Sequence, residues 1–216
     1  MSAGKMSDIH PLDAHRTRSQ VKLRAYLALL KNLQTGLLVI TGLAGYMSGR
    51  PETTWSSILT LLGSLFLTVG GSTVLNMVID RDIDAQMDRT CGRPLPAGTV
   101  TPGEGLTLGL SLALLGTLWA GRTNPLYGTV IVAGLFFDVV VYTLWLKRRS
   151  PWSILWGGIA GGMPILAGRA LAVGRIDGTG LLLGLAVLLW IPTHIMTFSI
   201  KYADDYHAAD VPVFPN

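Results

Sequence analysis

The sequence predicts an all-α fold, specifically a bundle of transmembrane helices of the kind found in polytopic membrane proteins. Of the 216 residues, 50% are hydrophobic and only 14% are charged, and 26 are glycine. That charged fraction is well below the roughly 25% of soluble domains. Several apolar stretches also approach the ~20 residues that a helix needs to cross a bilayer. We therefore expect a lipid bilayer to surround most of the chain.

Six apolar stretches predict six membrane spans, separated by charged segments or by segments rich in proline and glycine, which break helices. The spans are predicted at about residues 25–49, 55–79, 103–120, 126–146, 151–173 and 180–200. Residues 1–24 are basic and are predicted to form a cytoplasmic tail. Residues 25–216 are predicted to form one intramembrane domain.

The most informative polar stretch follows the second predicted span, where Asp80, Asp82, Asp84 and Asp88 occur close together. In a helix, Asn76, Asp80 and Asp84 recur every four residues and share one face. Stacked carboxylates repel one another unless a cation lies between them, and Mg²⁺ is commonly held by carboxylates together with substrate phosphates. The spacing predicts Asp80 and Asp84 as metal ligands in a diphosphate site, with Asp82 as a bystander or salt-bridge partner. The alternative is a solvated acidic loop.

A second acidic cluster, Lys201, Asp204 and Asp205, follows the sixth predicted span. Four spans separate it from the first cluster, so both clusters are expected on the same side of the membrane, over one cavity. Asp204 and Asp205 are therefore predicted as further metal ligands.

Basic residues in the predicted loops set the orientation, because cytoplasmic loops are enriched in Lys and Arg. With the N-terminus in the cytoplasm, that side carries Lys5, Arg16, Arg18, Lys22, Arg24, Arg81, Arg89, Arg93, Lys147, Arg148, Arg149 and Lys201. The other side carries only Arg50, Arg122, Arg169 and Arg175. This predicts a multi-pass protein of the cell membrane with the N-terminus and both acidic clusters on the cytoplasmic side.

Five further residues each have two interpretations. Arg89 and Arg93 are predicted to bind phosphate, which a guanidinium fits well, or they only mark the cytoplasmic side. Lys31 lies in an apolar span and is a functional candidate, although it is near enough to the end to snorkel. Asp138 lies inside the fourth predicted span and is either a functional residue or a polar contact between helices, and the contact is the favoured interpretation. His194 is either a hydrogen-bonded core histidine or a ligand for a porphyrin or other substrate.

Three stretches resemble a known family. Asn76-x3-Asp80-x3-Asp84, followed by Arg93-Pro-Leu, resembles the first aspartate motif of the UbiA superfamily of intramembrane prenyltransferases. Residues 142–164 and 201–212 are similar to the heme O synthase (protoheme IX farnesyltransferase) branch of that superfamily. The resemblance extends over most of the chain from Tyr26 onward.

The resemblance implies that a farnesyl group passes from farnesyl diphosphate to a vinyl group of heme b, which forms heme O for heme–copper oxidases. It implies Mg²⁺ at the two aspartate clusters and the lipid bilayer as surroundings. The implied catalytic residues are Asn76, Asp80, Asp84, Lys201, Asp204 and Asp205. The implied substrate-binding residues are Lys31, Arg89, Arg93 and His194.

The sequence also departs from that family. Lys31-Asn32-Leu33 stands where Lys-Pro-Arg is usual, the His194 segment lacks its second Pro, and Asp210 replaces a usual Gly. The family has about nine spans and this sequence has six. The expectation is either a truncated gene product or a separate chain that completes the bundle.

Two other functions stay open. A UbiA-type enzyme that prenylates an aromatic or quinone precursor would share the donor site. A membrane transporter or inactive scaffold would use the acids only to bind cations. No feature predicts nucleic-acid binding.

Overall fold

The computed structural model of the chain describes residues 18–214, and the regular structure in this range is helical throughout, as predicted. The helices are α1 Arg18–Leu29, α2 Asn32–Ser48, α3 Trp55–Ile79, α4 Arg81–Gln86, α5 Pro102–Thr123, α6 Pro125–Leu135, a π-helical segment Phe136–Leu146 that continues α6, α7 Ser153–Val173, α8 Gly178–Lys201 and α9 Ala203–Ala208.

Five of these helical stretches are long and apolar enough to cross a membrane, namely α3, α5, α6 with the π segment, α7 and α8. Helices α1 and α2 form a sixth candidate that is bent by 43°. The first predicted span, residues 25–49, is thus broken near its start, because Lys31 adopts a left-handed conformation (φ 43°) that interrupts the helix. Helix α1 begins at Arg18, so the end of the predicted tail is helical. Residues 1–17 lie outside the described range, and the domain boundary stays a prediction.

Side chains in the sequence determine where four helices begin. In each case an oxygen of the residue before the helix accepts a hydrogen bond from a backbone N–H of the first turn, which would otherwise lack a partner. The capping residues are Thr54, Thr101, Asn124 and Asp177. Thr101 and Glu104 complete a reciprocal capping box at the start of α5. Pro102 and Pro125 occupy first helical positions, where a missing N–H costs nothing.

Small residues allow the helices to approach closely. Helix α7 packs against α2, α6 and α8, whereas α3 packs mainly against α5. A Cβ atom at Gly45 would lie 2.0 Å from the carbonyl oxygen of Ile165, and one at Gly168 would lie 1.9 Å from that of Gly42. Such contacts are typical of membrane helix interfaces, where van der Waals packing drives association. The α2–α7 interface therefore requires glycine at these positions.

A buried hydrogen bond also links α3 to α6. The hydroxyl of Tyr127, which is fully buried, lies 2.7 Å from that of Ser64. By contrast, α8 packs mainly on α7 and exposes large apolar side chains along its length, among them Leu181, Leu182, Leu185, Leu189 and Trp190. Helices α3 and α7 are therefore surrounded by other helices, whereas one side of α8 is not covered by any described helix.

We expect Gly45→Ala to lower the free energy of unfolding by about 1–3 kcal/mol, the usual cost of overpacking. The matched control is Gly36→Ala in the same helix, where a Cβ meets nothing within 4 Å. Alanine is the better helix former, so the control should be neutral or slightly stabilising. Thermal unfolding of detergent-solubilised protein measures both. An equal loss in the two variants would contradict the close α2–α7 packing.

Candidate functional site

A cavity of about 160 Å³ lies at one end of the bundle, where α3 and the π segment end and α2 and α7 begin. Its charged lining comes from five side chains, Lys31, Asp84, Arg89, Arg93 and Lys147. Its apolar lining includes Ile83, Met87, Ile154, Ile195 and Phe214. The cavity therefore combines a polar, mainly cationic part with an apolar wall.

Asp80 is one of two buried acids of the site. It follows the last residue of α3, its side chain is 8% exposed, and one carboxylate oxygen forms an ion pair with Lys147 at the end of the π segment. The other oxygen, Oδ1, is buried and has no hydrogen-bond partner among the described residues. Burial raises the pKa of Asp80, and the ion pair with Lys147 opposes this effect. Asp80 therefore presents an unsatisfied oxygen, as expected of a metal ligand.

Asp84 forms the second buried ion pair. Nη1 of Arg93 lies 2.8 and 2.7 Å from its two carboxylate oxygens. The backbone N–H of Asp84 donates to the carbonyl oxygen of Asp80 at 2.8 Å, so the two acids keep the spacing of one helical turn across the break between α3 and α4. The predicted common face of Asp80 and Asp84 is thus present, with a cation beside each acid.

Asp82 points away from this site, as the sequence predicts for a salt-bridge partner. Arg148 binds it with two hydrogen bonds of 2.6 Å, and both side chains are exposed. These hydrogen bonds lower the pKa of Asp82 to about 2. Asp82 thus provides an exposed ion pair beside the two buried ones.

Asn76 lies one turn before Asp80, but its side chain is engaged elsewhere. Its Nδ2 donates to Oδ2 of Asp138 at 2.8 Å, and its Oδ1 accepts from the Thr143 hydroxyl at 3.0 Å. The Ser72 hydroxyl also donates to Asp138. The interpretation of Asp138 as a polar contact between helices is confirmed. Its partner, Asn76, is a residue that the sequence assigns to the metal site.

The second acidic cluster reaches the first through Asp205. Its carboxylate accepts hydrogen bonds from the backbone N–H groups of Asp88 and Arg89, at 3.0 and 3.4 Å. Asp204 and Lys201 are exposed, and neither lines the cavity. The two clusters therefore meet at the loop after α4, and only Asp84 among the predicted metal ligands lines the cavity itself.

The structure does not gather the four predicted metal ligands into one cluster. Among residues 18–214, no group of three or more His, Cys, Asp or Glu side chains is arranged to hold a metal. The physical reason is that the acids have separate partners: Lys147 pairs with the buried Asp80 and Arg93 with the buried Asp84. Backbone N–H groups donate to the half-buried Asp205. The roles of these residues as ligands stay predictions.

Two further predicted residues occupy unexpected positions. Lys31 is directed to the cavity from the left-handed break between α1 and α2, a conformation that is uncommon for a residue with a side chain. His194 is exposed on α8, so a hydrogen-bonded core histidine is wrong. Its ring stacks on Trp190 at 5.0 Å and meets the edge of Phe198 at 5.1 Å.

Comparison with known proteins agrees with the helical architecture of the bundle. The model of the UbiA prenyltransferase family matches residues 37–216. The chain belongs to the UbiA prenyltransferase family. The prediction of an intramembrane prenyltransferase, which the family resemblance implies, is confirmed at this level.

Curated relatives in the UbiA family carry a more specific name. Proteins from Archaeoglobus fulgidus and Korarchaeum cryptofilum, both named protoheme IX farnesyltransferase, are 43% identical over 90% and 91% of this chain. The aligned region spans 68% and 66% of their own lengths. This chain thus spans about two thirds of these relatives.

A solved structure supports the fold. A UbiA homolog from Archaeoglobus fulgidus bound to DMAPP and Mg²⁺ superposes with a TM-score of 0.74 over 88% of this chain and 68% of that one. The sequence identity is 18%, so the likeness concerns the fold alone.

Sequence reasoning overlooked Lys147 as a site residue of this UbiA chain. Lys147, Arg148 and Arg149 form a basic run, which the sequence explains adequately as a cytoplasmic flank. The structure separates them, because Lys147 turns inward to Asp80 whereas Arg148 turns outward to Asp82. In the structure the Lys147 ammonium group lies 5.9 Å from the Tyr142 ring, five residues earlier, a spacing that has meaning only once the π-helical register is known.

We expect Lys147→Met to destabilise the protein strongly. Removal of one partner leaves the Asp80 carboxylate buried and uncompensated, which typically costs about 3–5 kcal/mol. The control is Arg148→Met, which breaks an exposed pair and should cost no more than about 1 kcal/mol. Chemical unfolding in detergent distinguishes the two variants. If both lost the same free energy, the Asp80–Lys147 pair would not be the buried contact that the structure shows.

Proposed function

We propose that this protein transfers a farnesyl group from farnesyl diphosphate to a vinyl group of heme b, in a Mg²⁺-dependent reaction that forms heme O. The observation that carries the proposal is the cavity in which cationic side chains surround Asp84 and lie beside an unsatisfied oxygen of Asp80. The name of the curated relatives supports the choice of donor and acceptor.

The residues present suit a hard cation bound together with a diphosphate. Asp80 Oδ1 is buried without a partner, and Asp84 lies one turn away. Oxygen ligands of this type, few in number and completed by substrate phosphates, match the preference of Mg²⁺. Asn76, Asp80 and Asp84 would hold the ion from one side, and Asp204 and Asp205 from the other. When bound, Mg²⁺ neutralises the negative charge that develops on the leaving diphosphate.

The basic side chains of the cavity would bind the diphosphate directly. Arg93 and Lys147 form ion pairs with Asp84 and Asp80. When a cation takes over those acids, both become available to diphosphate oxygens, together with Lys31 and Arg89. Arg93 can bind two oxygens at once, whereas Lys31 and Lys147 act as compact charges. Donor binding is therefore an exchange of partners within a charged site that already exists.

This arrangement favours ionisation of the donor. The allylic C–O bond breaks, and its electron pair leaves with the diphosphate, which the four basic side chains stabilise. The π electrons of the heme vinyl group then attack the farnesyl carbon. Water adds to the resulting cation and releases a proton, which leaves a hydroxyethylfarnesyl group. Apolar side chains of the cavity wall, such as Ile154, Ile195 and Phe214, would exclude water from the first cation.

The acceptor would bind along the exposed side of α8. Trp190, His194, Phe198 and Tyr202 recur every four residues and form a continuous aromatic row, with ring centroids 5.0–5.7 Å apart. The row ends where the Arg89 guanidinium lies 5.0 Å from the Tyr202 ring. Aromatic faces suit a porphyrin plane, and an accessible imidazole suits its iron. Arg89 also lines the cavity, so the row leads from His194 to the proposed donor site.

The proposal also includes the side of the membrane that the cavity faces and the surroundings of α8. The cavity and both acidic clusters would face the cytoplasm, as the distribution of basic residues indicates. The exposed apolar side of α8 suits lipid or a further chain that completes the bundle.

The decisive experiment supplies membranes containing this protein with heme b, farnesyl diphosphate and Mg²⁺, and analyses the products by mass spectrometry. Heme O supports the proposal. A prenylated aromatic or quinone precursor, obtained only when that acceptor is supplied, would instead favour the second type of enzyme. If no diphosphate is released with any acceptor, a transporter or inactive scaffold is the better description.

We expect Asp80→Ala and Asp84→Ala to lower the rate of prenyl transfer by at least about 10²-fold, because each removes a group that stabilises the leaving diphosphate. Asp82→Ala is the matched control, since Asp82 is an exposed neighbour whose carboxylate pairs with Arg148. It should retain activity within a few-fold of the wild type. Wild-type rates in either of the first two variants would disprove the metal role.

His194→Ala should weaken heme b binding about tenfold, equivalent to 1.4 kcal/mol, because the iron loses its proposed ligand. The absorption change on titration of purified protein with heme b measures this affinity. His207→Ala is the control, because His207 is an exposed histidine away from the aromatic row. Equal affinities for heme in the wild type and in His194→Ala would remove His194 from the acceptor site.

A further inference from the structure

A polar network lies within the bundle, just before the acidic stretch. Ser72 and Asn76 on α3 both donate hydrogen bonds to Oδ2 of Asp138 in the π segment. The Thr143 hydroxyl lies 3.0 Å from Oδ1 of Asn76 and 2.9 Å from the carbonyl oxygen of Asp138. Buried or half-buried polar groups in a membrane bundle are costly unless paired, and they commonly mark functional sites.

The carboxylate of Asp138 determines which way the amide of Asn76 points. The two ends of an asparagine amide have almost the same shape, and only the hydrogen-bond partners distinguish them. A carboxylate accepts hydrogen bonds, so the nitrogen of the amide must face Asp138 and the oxygen must face away. Without Asp138, the amide could turn over and present its N–H₂ group in place of the oxygen.

The π segment makes this arrangement possible. In π-helical geometry a backbone N–H bonds the carbonyl oxygen five residues earlier, as Lys147 does with Tyr142 at 2.8 Å. Residues five apart are therefore neighbours, and Thr143 lies beside Asp138. Both reach the Asn76 amide, one at each end.

We propose that Asp138 is a positioning residue for the cation site. It holds the nitrogen of the Asn76 amide, so that the oxygen faces away from it. That oxygen accepts one hydrogen bond from Thr143 and keeps its second lone pair for a cation, one turn before the unsatisfied Oδ1 of Asp80. A cation is attracted by the amide oxygen and repelled by the N–H₂ group. Asp138 therefore raises cation affinity without contacting the ion itself. The proposal rests on the proposed function, in which Asn76 and Asp80 hold Mg²⁺.

The test measures binding, not turnover. Radiolabelled farnesyl thiodiphosphate, an analogue that ionises slowly, is bound to detergent-solubilised protein at increasing Mg²⁺ concentrations. We expect Asp138→Asn to raise the Mg²⁺ concentration for half-maximal binding about 10- to 100-fold, as loss of an orienting partner does in other metal sites. An asparagine at this position accepts or donates equally well, so it no longer fixes the amide of Asn76.

Two variants separate positioning from simple destabilisation. Tyr127→Phe removes a buried hydrogen bond between α3 and α6, with Ser64, and neither residue lines the cavity. It should leave the Mg²⁺ dependence unchanged, even where its thermal stability falls as far as that of Asp138→Asn. The double variant Asn76→Asp/Asp138→Asn should recover the wild-type Mg²⁺ dependence, because a carboxylate at position 76 presents oxygen whichever way it turns.

The outcomes distinguish this inference from the proposed function. A wild-type Mg²⁺ dependence in Asp138→Asn, together with a large shift in Asp80→Ala, would overturn the positioning role alone. A wild-type dependence in Asp80→Ala would overturn the proposed metal site itself. If Asp138→Asn cannot be purified, Ser72→Ala removes one of the two donors to Asp138 and should shift the half-saturation several-fold in the same direction. No shift in Ser72→Ala would then count against the proposal.

Discussion

The ion pair between Asp80 and Lys147 is the interaction on which the rest of the site depends. It joins the end of α3 to the end of the π segment, and both side chains are largely buried. An uncompensated buried charge costs several kcal/mol, so neither residue can hold its position without the other. The Asp84–Arg93 pair fixes the following loop in the same way. The charges that shape the cavity are thus the charges proposed to bind the substrate. They are already desolvated, so a ligand that exchanges partners with them avoids much of the desolvation cost that binding would otherwise carry.

The π segment determines which side chains take part. In a π-helix, residues five apart lie one above the other, whereas in an α-helix residues four apart do. Thr143 therefore lies beside Asp138, and Lys147 lies beside Tyr142. The π segment therefore supplies both the partners of the Asn76 amide and, at its end, the Lys147 that pairs with Asp80. Short π-helical stretches often occur at functional sites, because they redirect side chains without ending a helix.

The sequence predicts the positions of the helices and of the acidic residues better than it predicts which side chains pair with those residues. Six spans are readable, because apolar length and helix-breaking residues are local properties. The one-turn spacing of Asp80 and Asp84 is likewise local and survives the break between α3 and α4. The partner of Asn76 is not readable, since it depends on a π-helical register that an apolar stretch does not reveal. Nor does the basic run at residues 147–149 show which cation turns inward, because that depends on contacts with α3.

The balance of charge around the cavity argues for an anionic ligand bound with a cation, not for a cation alone. Lys31, Arg89, Arg93 and Lys147 line the cavity, and among the described residues of that lining the acid is Asp84. Asp80 is adjacent through Lys147, and Asp204 and Asp205 lie outside the lining. A site that evolved to carry a free cation would be expected to have an excess of acids, because an excess of basic side chains repels the ion. Here the basic residues outnumber the acids. A diphosphate would balance the excess positive charge. A cation bound with it would pair with Asp80 and Asp84 in place of Lys147 and Arg93. This charge balance favours a prenyl diphosphate enzyme over a cation transporter, independently of the family to which the chain belongs.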